Sequence, residues 1–170
     1  MTALVAVKQE QKILSKEERL ALWMQKAIYY SKKERSTKVK PKPLEFYTVD
    51  LGQNVGSEIN GVRPFLVLTS TTYNDNSGTI TGIPCSNKEF AKKGQVQITN
   101  DILDEGKLKG ILKVEMITTI SKGRIGDYIG KLNQKGSHVV GDKLEHLLVP
   151  LRRKKKNRKS FQRENQQCQR

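Results

Sequence analysis

The chain has 170 residues, a length suited to one domain with a single core. It carries 32 Lys and Arg against 17 Asp and Glu, a formal net charge of +15, and only two cysteines. Two cysteines make no disulfide framework, and no run approaches the roughly 20 apolar residues of a membrane span, so a stapled secreted scaffold and a membrane protein both fit poorly.

The charge is unevenly placed. Residues 1–43 hold 11 basic and 4 acidic side chains, 44–151 hold 12 of each, and 152–170 hold 9 against 1. This predicts a neutral globular domain over 44–151 with a basic extension at each end. The N-terminal apolar patch, Ala3 to Val7, lacks the 7–15-residue core and cleavage site of a signal peptide, so a cytoplasmic protein is expected.

In the first extension, Ser15 and Glu18 form a capping box. Leu20, Trp23, Met24, Ala27 and Ile28 then follow at helical spacing, which predicts an amphipathic helix over about 16–31 with that apolar face packed on the neutral domain. Residues 32–43, with five Lys, Arg35 and two Pro, read as a linker.

The middle domain reads mainly as β. Strands are expected at 46–51, 65–69, 79–84 and 95–99, with a longer β-branched run at 112–120. Residues 73–78 form a turn cluster, and 123–130 a turn-rich connection with room for a short helix. Leu144, Leu147, Leu148 and Leu151 follow helical spacing behind Asp142 as a cap, which predicts a closing helix. The fold class expected is α+β, mainly β: a small, partly open barrel with a C-terminal helix. Residues 152–170 read as a disordered basic tail. Its Arg152, Arg153, Lys154, Lys155, Lys156, Arg158 and Lys159 suit nonspecific contact with nucleic-acid phosphates, or simple solubility.

The chemistry is narrowed by what is missing. There is no phosphate-binding GxxxxGK[ST] loop, no dinucleotide-binding glycine pattern and no Cys/His cluster at metal spacing, so no cofactor or metal is expected. Both histidines, His138 and His146, fall in or near the closing helix, outside the expected barrel. Arg63 is the most informative residue left. A guanidinium at the mouth of a buried strand, beside a Gly-punctuated acidic loop, is suited to gripping a phosphate. On residue type alone it could equally pair with Glu58, a surface contact worth under about 1 kcal/mol. In the same plain terms Ser86 is a turn residue, Cys85 a small buried hydrophobe, and Glu115 a partner for a barrel lysine.

Five segments occur together in order: Tyr47-Thr48-Val49-Asp50-Leu51, Gly56-Ser57-Glu58, Gly61-Val62-Arg63-Pro64 with its apolar strand, Thr79-Ile80-Thr81-Gly82-Ile83-Pro84, and Val114-Glu115-Met116-Ile117-Thr118-Thr119-Ile120. In this order and spacing the chain resembles the MazF/PemK family, toxins of type II toxin–antitoxin systems, over about residues 44–148. The resemblance implies an SH3-like barrel, a homodimer, and a sequence-selective, metal-independent endoribonuclease that cuts single-stranded RNA. It also implies a cognate acidic antitoxin. The family's essential arginine falls on Arg63, its essential threonine on Ser86, and an acidic residue implicated in some members on Glu58. RNA contacts are expected at Gly56, Ser57, Arg63, Asn87 and Lys88. Where many members carry Gln and Arg, this chain has Met116 and Thr118. Two other readings use the same fold: a catalytically weak module that binds RNA or DNA, and a gyrase-poisoning toxin of the CcdB type.

Overall fold

The computed structural model describes residues 14–33 and 39–148. The patch 3–7, part of the linker, Cys168 and the basic tail from Arg152 onward lie outside the described residues.

Helix α1 spans Lys16–Lys33. The capping box forms as expected: the Glu18 N–H donates to Ser15 Oγ (3.1 Å), and the Ser15 N–H donates to Glu18 Oε2 (2.7 Å). Eight strands follow: β1 (Glu45–Asp50), β2 (Val62–Val67), β3 (Thr79–Ser86), β4 (Val96–Ile98), β5 (Leu103–Glu105), β6 (Gly110–Leu112), β7 (Thr118–Ser121) and β8 (Ile125–Leu132). They pair antiparallel in the order β4-β6-β3-β2-β1-β8-β5, with β7 on β3, a near-closed barrel with ends at β4 and β5. The C-terminal helix α3, Gln134–Leu148, packs against β4 and β8 and the short 3-10 turns, covering the open seam.

Strand β2 reads as a continuous apolar run because both of its faces are buried. Leu66 joins Phe46, Ile83, Cys85, Leu112 and Val140 in one cluster. Phe65 and Val67 join Tyr47, Val49, Ile80 and Ile120 in a second cluster on the opposite face. The alternation of strand side chains thus divides the buried Phe65, Leu66, Val67, Ile80, Ile83 and Cys85 of β2 and β3 between the two clusters.

Four expectations are corrected. The run 112–120 is not one strand: a 3-10 turn over Val114–Met116 breaks it, burying Val114 and sending Glu115 outward to pair with Lys113 (3.0 Å). The connection 123–130 is mostly strand β8, because Tyr47, Phe46 and Glu45 of β1 supply its ladder partners. The turn cluster at 73–78 is largely helix α2 (Thr71–Asn76), whose N-cap Ser70 accepts from the Tyr73 N–H and whose Asn74 is wholly buried among backbone partners. Helix α3 starts eight residues before Asp142, capped by Asn133, whose Oδ1 accepts from the Gly136 N–H at 2.9 Å.

The face of α1 differs as well. Met24 and Ile28 are 68% and 59% exposed, and Leu20 and Ala27 are also on the surface. Of that face only Trp23 docks, and Tyr30, from outside it, docks beside it. The Tyr30 hydroxyl donates to Asp50 Oδ2 (3.0 Å), with Lys26 Nζ 3.6 Å from the same oxygen. Arg124 lies 5.1 Å over the Trp23 ring and donates from Nε to the Asp50 carbonyl (2.6 Å). Gly52 makes room for the indole: a Cβ there would overlap Trp23, and its φ of +78° is one that glycine adopts without strain.

Candidate active site

Arg63 is the second residue of β2 and pairs in register with Val49 of β1. Across β2 and β3 the partners are Phe65 with Pro84, Leu66 with Ile83 and Val67 with Gly82. The β2–β3 ladder ends at Phe65 and Pro84, two residues short of Arg63 and of Ser86, and Ser86, the last residue of β3, pairs with Ile111 of β6. Arg63 shares its strand face with Phe65 and Val67, and Ser86 shares its face with Pro84 and Ile80, so both belong to the face of the second cluster. The two residues therefore stand just beyond the same end of the β2–β3 ladder.

The polar groups there are uncommitted. Arg63 is half-buried and donates from Nε to the Asn60 carbonyl (3.0 Å). It makes no ion pair among the described residues, so the pairing with Glu58 that residue type allowed is not formed. With Nε tied to the backbone, both terminal amino groups of the fork remain for an anion. The Ser86 hydroxyl is partly exposed and has no hydrogen bond among the described residues.

The loop between β1 and β2 is held rather than loose. Its neck is closed by Leu51 N–H to Gly61 O (3.0 Å) and Gly61 N–H to Gly52 O (2.8 Å). Asn54 spans the inside, its Nδ2 donating to the carbonyls of Leu51 and Ile59, while Asn60 Oδ1 accepts from the Asn54 N–H (2.5 Å). Asn60 thus braces the loop through its side chain and Arg63 through its carbonyl. These asparagines were missed in the sequence; the Asn60-Gly61 pair is a turn signal, but it does not reveal which carbonyl the arginine will use.

Gly56, Ser57 and Glu58 sit at the exposed tip of this loop, and the Glu58 carboxylate has no polar partner among the described residues. The structure therefore puts Arg63 and Ser86 near the same end of the β2–β3 ladder, and Glu58 makes no side-chain hydrogen bond or ion pair to either. Asn87 and Lys88 continue directly from Ser86 and are exposed. Cys85 is 1% exposed, and burial pushes its thiol pKa far upward, so it is inert packing. Glu115 serves as the lysine partner expected of it and also accepts from Gln95 Nε2 (2.5 Å).

Thr118 pairs with Gly82 in the β3–β7 ladder and lies on the same face as Arg63 and Ser86. Met116 is instead in the 3-10 turn and half-buried. His138 and His146 are exposed on α3. Among the described residues no helix is long and apolar enough to cross a membrane.

Residues 42–148 match the family model described as PemK-like, MazF-like toxin of type II toxin-antitoxin system. No curated protein shows significant similarity to the chain. Among solved structures, MazF from Deinococcus radiodurans is 18% identical, with a TM-score of 0.58 over 66% of this chain and 99% of that one. An endoribonuclease in complex with its cognate antitoxin from a Mycobacterial species is 19% identical, with a TM-score of 0.52 over 65% of this chain and 94% of that one. A MazE-MazF structure from Deinococcus radiodurans is 17% identical, with a TM-score of 0.53 over 65% and 97%. At these identities the likeness is one of fold.

Proposed function

Because the chain belongs to the PemK-like, MazF-like toxins of type II toxin–antitoxin systems, we propose that it is a sequence-selective, metal-independent endoribonuclease that cuts single-stranded RNA. The observation that supports this reading is that Arg63, with its terminal amino groups free, and Ser86, with its hydroxyl free, both stand just beyond the same end of the β2–β3 ladder.

In the proposed reaction the 2′-OH attacks the adjacent phosphorus and loses its proton. The P–O5′ bond breaks, O5′ gains a proton, and a 2′,3′-cyclic phosphate is left. Negative charge grows on the non-bridging oxygens as the new bond forms. The two terminal amino groups of Arg63 offer fixed donors to that charge, and one well-placed donor is worth about 3–4 kcal/mol in comparable sites. Ser86 supplies a neutral hydroxyl to a non-bridging oxygen and chiefly orients the phosphate. Glu58, at an exposed loop tip, is a weak base until RNA covers it. Gly56, Ser57, Asn87 and Lys88 line the path of the strand on either side.

The proposal extends to a homodimer and to a cognate acidic antitoxin; the antitoxin is supported by a structural neighbour solved in complex with its cognate antitoxin. A second reading, a nucleic-acid-binding module with little turnover, draws on Thr118, which puts a short neutral side chain on the face of Arg63 and Ser86.

Incubating the purified protein with a long unstructured RNA in EDTA separates the two. Discrete cuts that fall about 10²–10³-fold in Arg63→Ala support the nuclease. RNA binding by a folded wild-type protein without any cut favours the binding module and overturns it.

A further inference from the structure

The loop of residues 87–94, between β3 and β4, carries a feature that the proposed reaction does not use. Phe90 is 82% exposed, more than any other large apolar side chain among the described residues. Lys88, Lys92 and Lys93 surround it in sequence; all are exposed and none makes an ion pair among the described residues. Glu89 is the loop's only acidic residue.

Hydrogen bonds clamp the loop immediately after the ring. The Ala91 N–H donates to Gln97 Oε1 (3.1 Å), and Gln97 Nε2 donates to the Gly110 carbonyl (3.0 Å). The Lys92 N–H donates to Gln95 Oε1 (3.0 Å), and Gln95 Nε2 donates to Glu115 Oε1 (2.5 Å). Gly110 is packed on the active-site strand itself: its φ is +125°, and a Cβ there would collide with the Ser86 carbonyl oxygen. Gln97 therefore links the residue beside Phe90 to backbone that rests on Ser86. An exposed ring thus stands four residues beyond the hydroxyl, on a loop whose backbone is tied down at the next two residues.

We propose that Phe90 is a base-stacking platform for a nucleotide flanking the cleaved bond, with Lys88, Lys92 and Lys93 on the neighbouring phosphates. Single-stranded nucleic-acid sites combine an aromatic face, which any base can stack on, with cations that follow the backbone. A contact that only buried apolar surface would need the ring but would leave three lysines unexplained. The platform rests on the RNA-cutting reading for its substrate, and because stacking tolerates any base, it raises affinity and leaves the choice of cut site to other groups.

The test is fluorescence anisotropy with a labelled, uncleavable 2′-O-methyl oligonucleotide, comparing wild type, Phe90→Ala, Phe90→Leu and Phe90→Trp. With the ring so exposed, all four should fold, and circular dichroism checks this. Phe90→Ala and Phe90→Leu are both expected to weaken binding by on the order of tenfold or more. Phe90→Trp should restore it, with tryptophan emission quenched by the oligonucleotide beyond any change in wild type. Unchanged binding in Phe90→Ala overturns the platform, as does full rescue by Phe90→Leu, which would make the ring simple apolar packing. A loss of self-association in Phe90→Ala at unchanged RNA affinity also overturns it. If wild type cuts RNA and Phe90→Ala leaves KM unchanged, the platform falls and the nuclease stands. If no protein cuts yet Phe90→Ala binds more weakly, the nuclease falls and the stacking contact stands as part of a site that binds RNA without cleaving it.

Discussion

Ser86 is where a single methyl group has functional weight. A threonine hydroxyl is restrained at χ1 by its branched Cβ, whereas serine rotates among three wells. With no hydrogen bond to fix the Ser86 rotor among the described residues, its aim at a phosphate is set by the substrate alone. Ser86→Ala is therefore expected to lower kcat on an unstructured RNA by about 10²-fold, the cost of losing one oriented donor. Ser86→Thr is expected to match or exceed wild type, since it keeps the oxygen and narrows its directions. Single-turnover rates decide it: an Ala variant as fast as wild type would mean that the hydroxyl has no catalytic part, and a Thr variant as slow as the Ala variant would mean that the added methyl spoils the aim. The two residues were visible in the sequence as types, an arginine before a proline and a serine after an apolar strand. Their placement near one end of the β2–β3 ladder was not, because it depends on a strand register that no local pattern encodes. The Nε–Asn60 contact and the absence of a Glu58 pair were equally hidden, since both depend on how the loop neck closes.

At the scale of elements, long periodic segments were legible and short ones were not. The capping box announced α1, and the apolar runs announced β1, β2 and β3. Strands β5 and β6, three residues each, are too short to show alternation, and they exist because longer neighbours offer ladder partners. The docking side of α1 was misjudged because hydrophobicity was read as burial. The helix is held instead by Asp50, a buried carboxylate that gathers Tyr30, Lys26 and the Gly52 N–H. Burial first, and then the Asp50 charge and hydrogen bond, push the Tyr30 pKa from 10.0 up to about 12. The docked helix thus holds the tyrosine proton more tightly than a free helix does. Its contribution is constant below about pH 10 and is lost as pH rises toward 12. The chain's single tryptophan, Trp23, lies in this contact and reports on it. Tyr30→Phe is expected to weaken docking by about 1 kcal/mol and to remove the alkaline step in Trp23 emission between pH 10 and 12, with far-UV circular dichroism unchanged. An identical alkaline step in the Phe variant would assign it to other groups.

At the scale of the whole molecule, the division of charge separates affinity from selectivity. Residues 44–151 are balanced at 12 against 12, so Arg63 acts there as a local group in a neutral field. Residues 152–170 carry 9 basic side chains against 1 acidic, a cation density that attracts any polyanion without reading its sequence. We propose that Arg152, Arg153, Lys154, Lys155, Lys156, Arg158 and Lys159 add counterion-release affinity to a site whose choice of bond is made on the barrel. On single-stranded RNA each neutralised phosphate contributes about −0.7 to the slope of log K against log salt, so seven of them give about −5. Removing residues 152–170 should flatten the slope by about that amount and weaken binding most at low salt. The pattern of cut sites should stay as it was, because phosphate contacts carry no base information. Binding measured from 50 to 300 mM salt, beside a cleavage map of one long RNA, tests both halves. An unchanged slope would assign the affinity to the barrel and the α1 region, and a changed map would make the tail a reader of sequence.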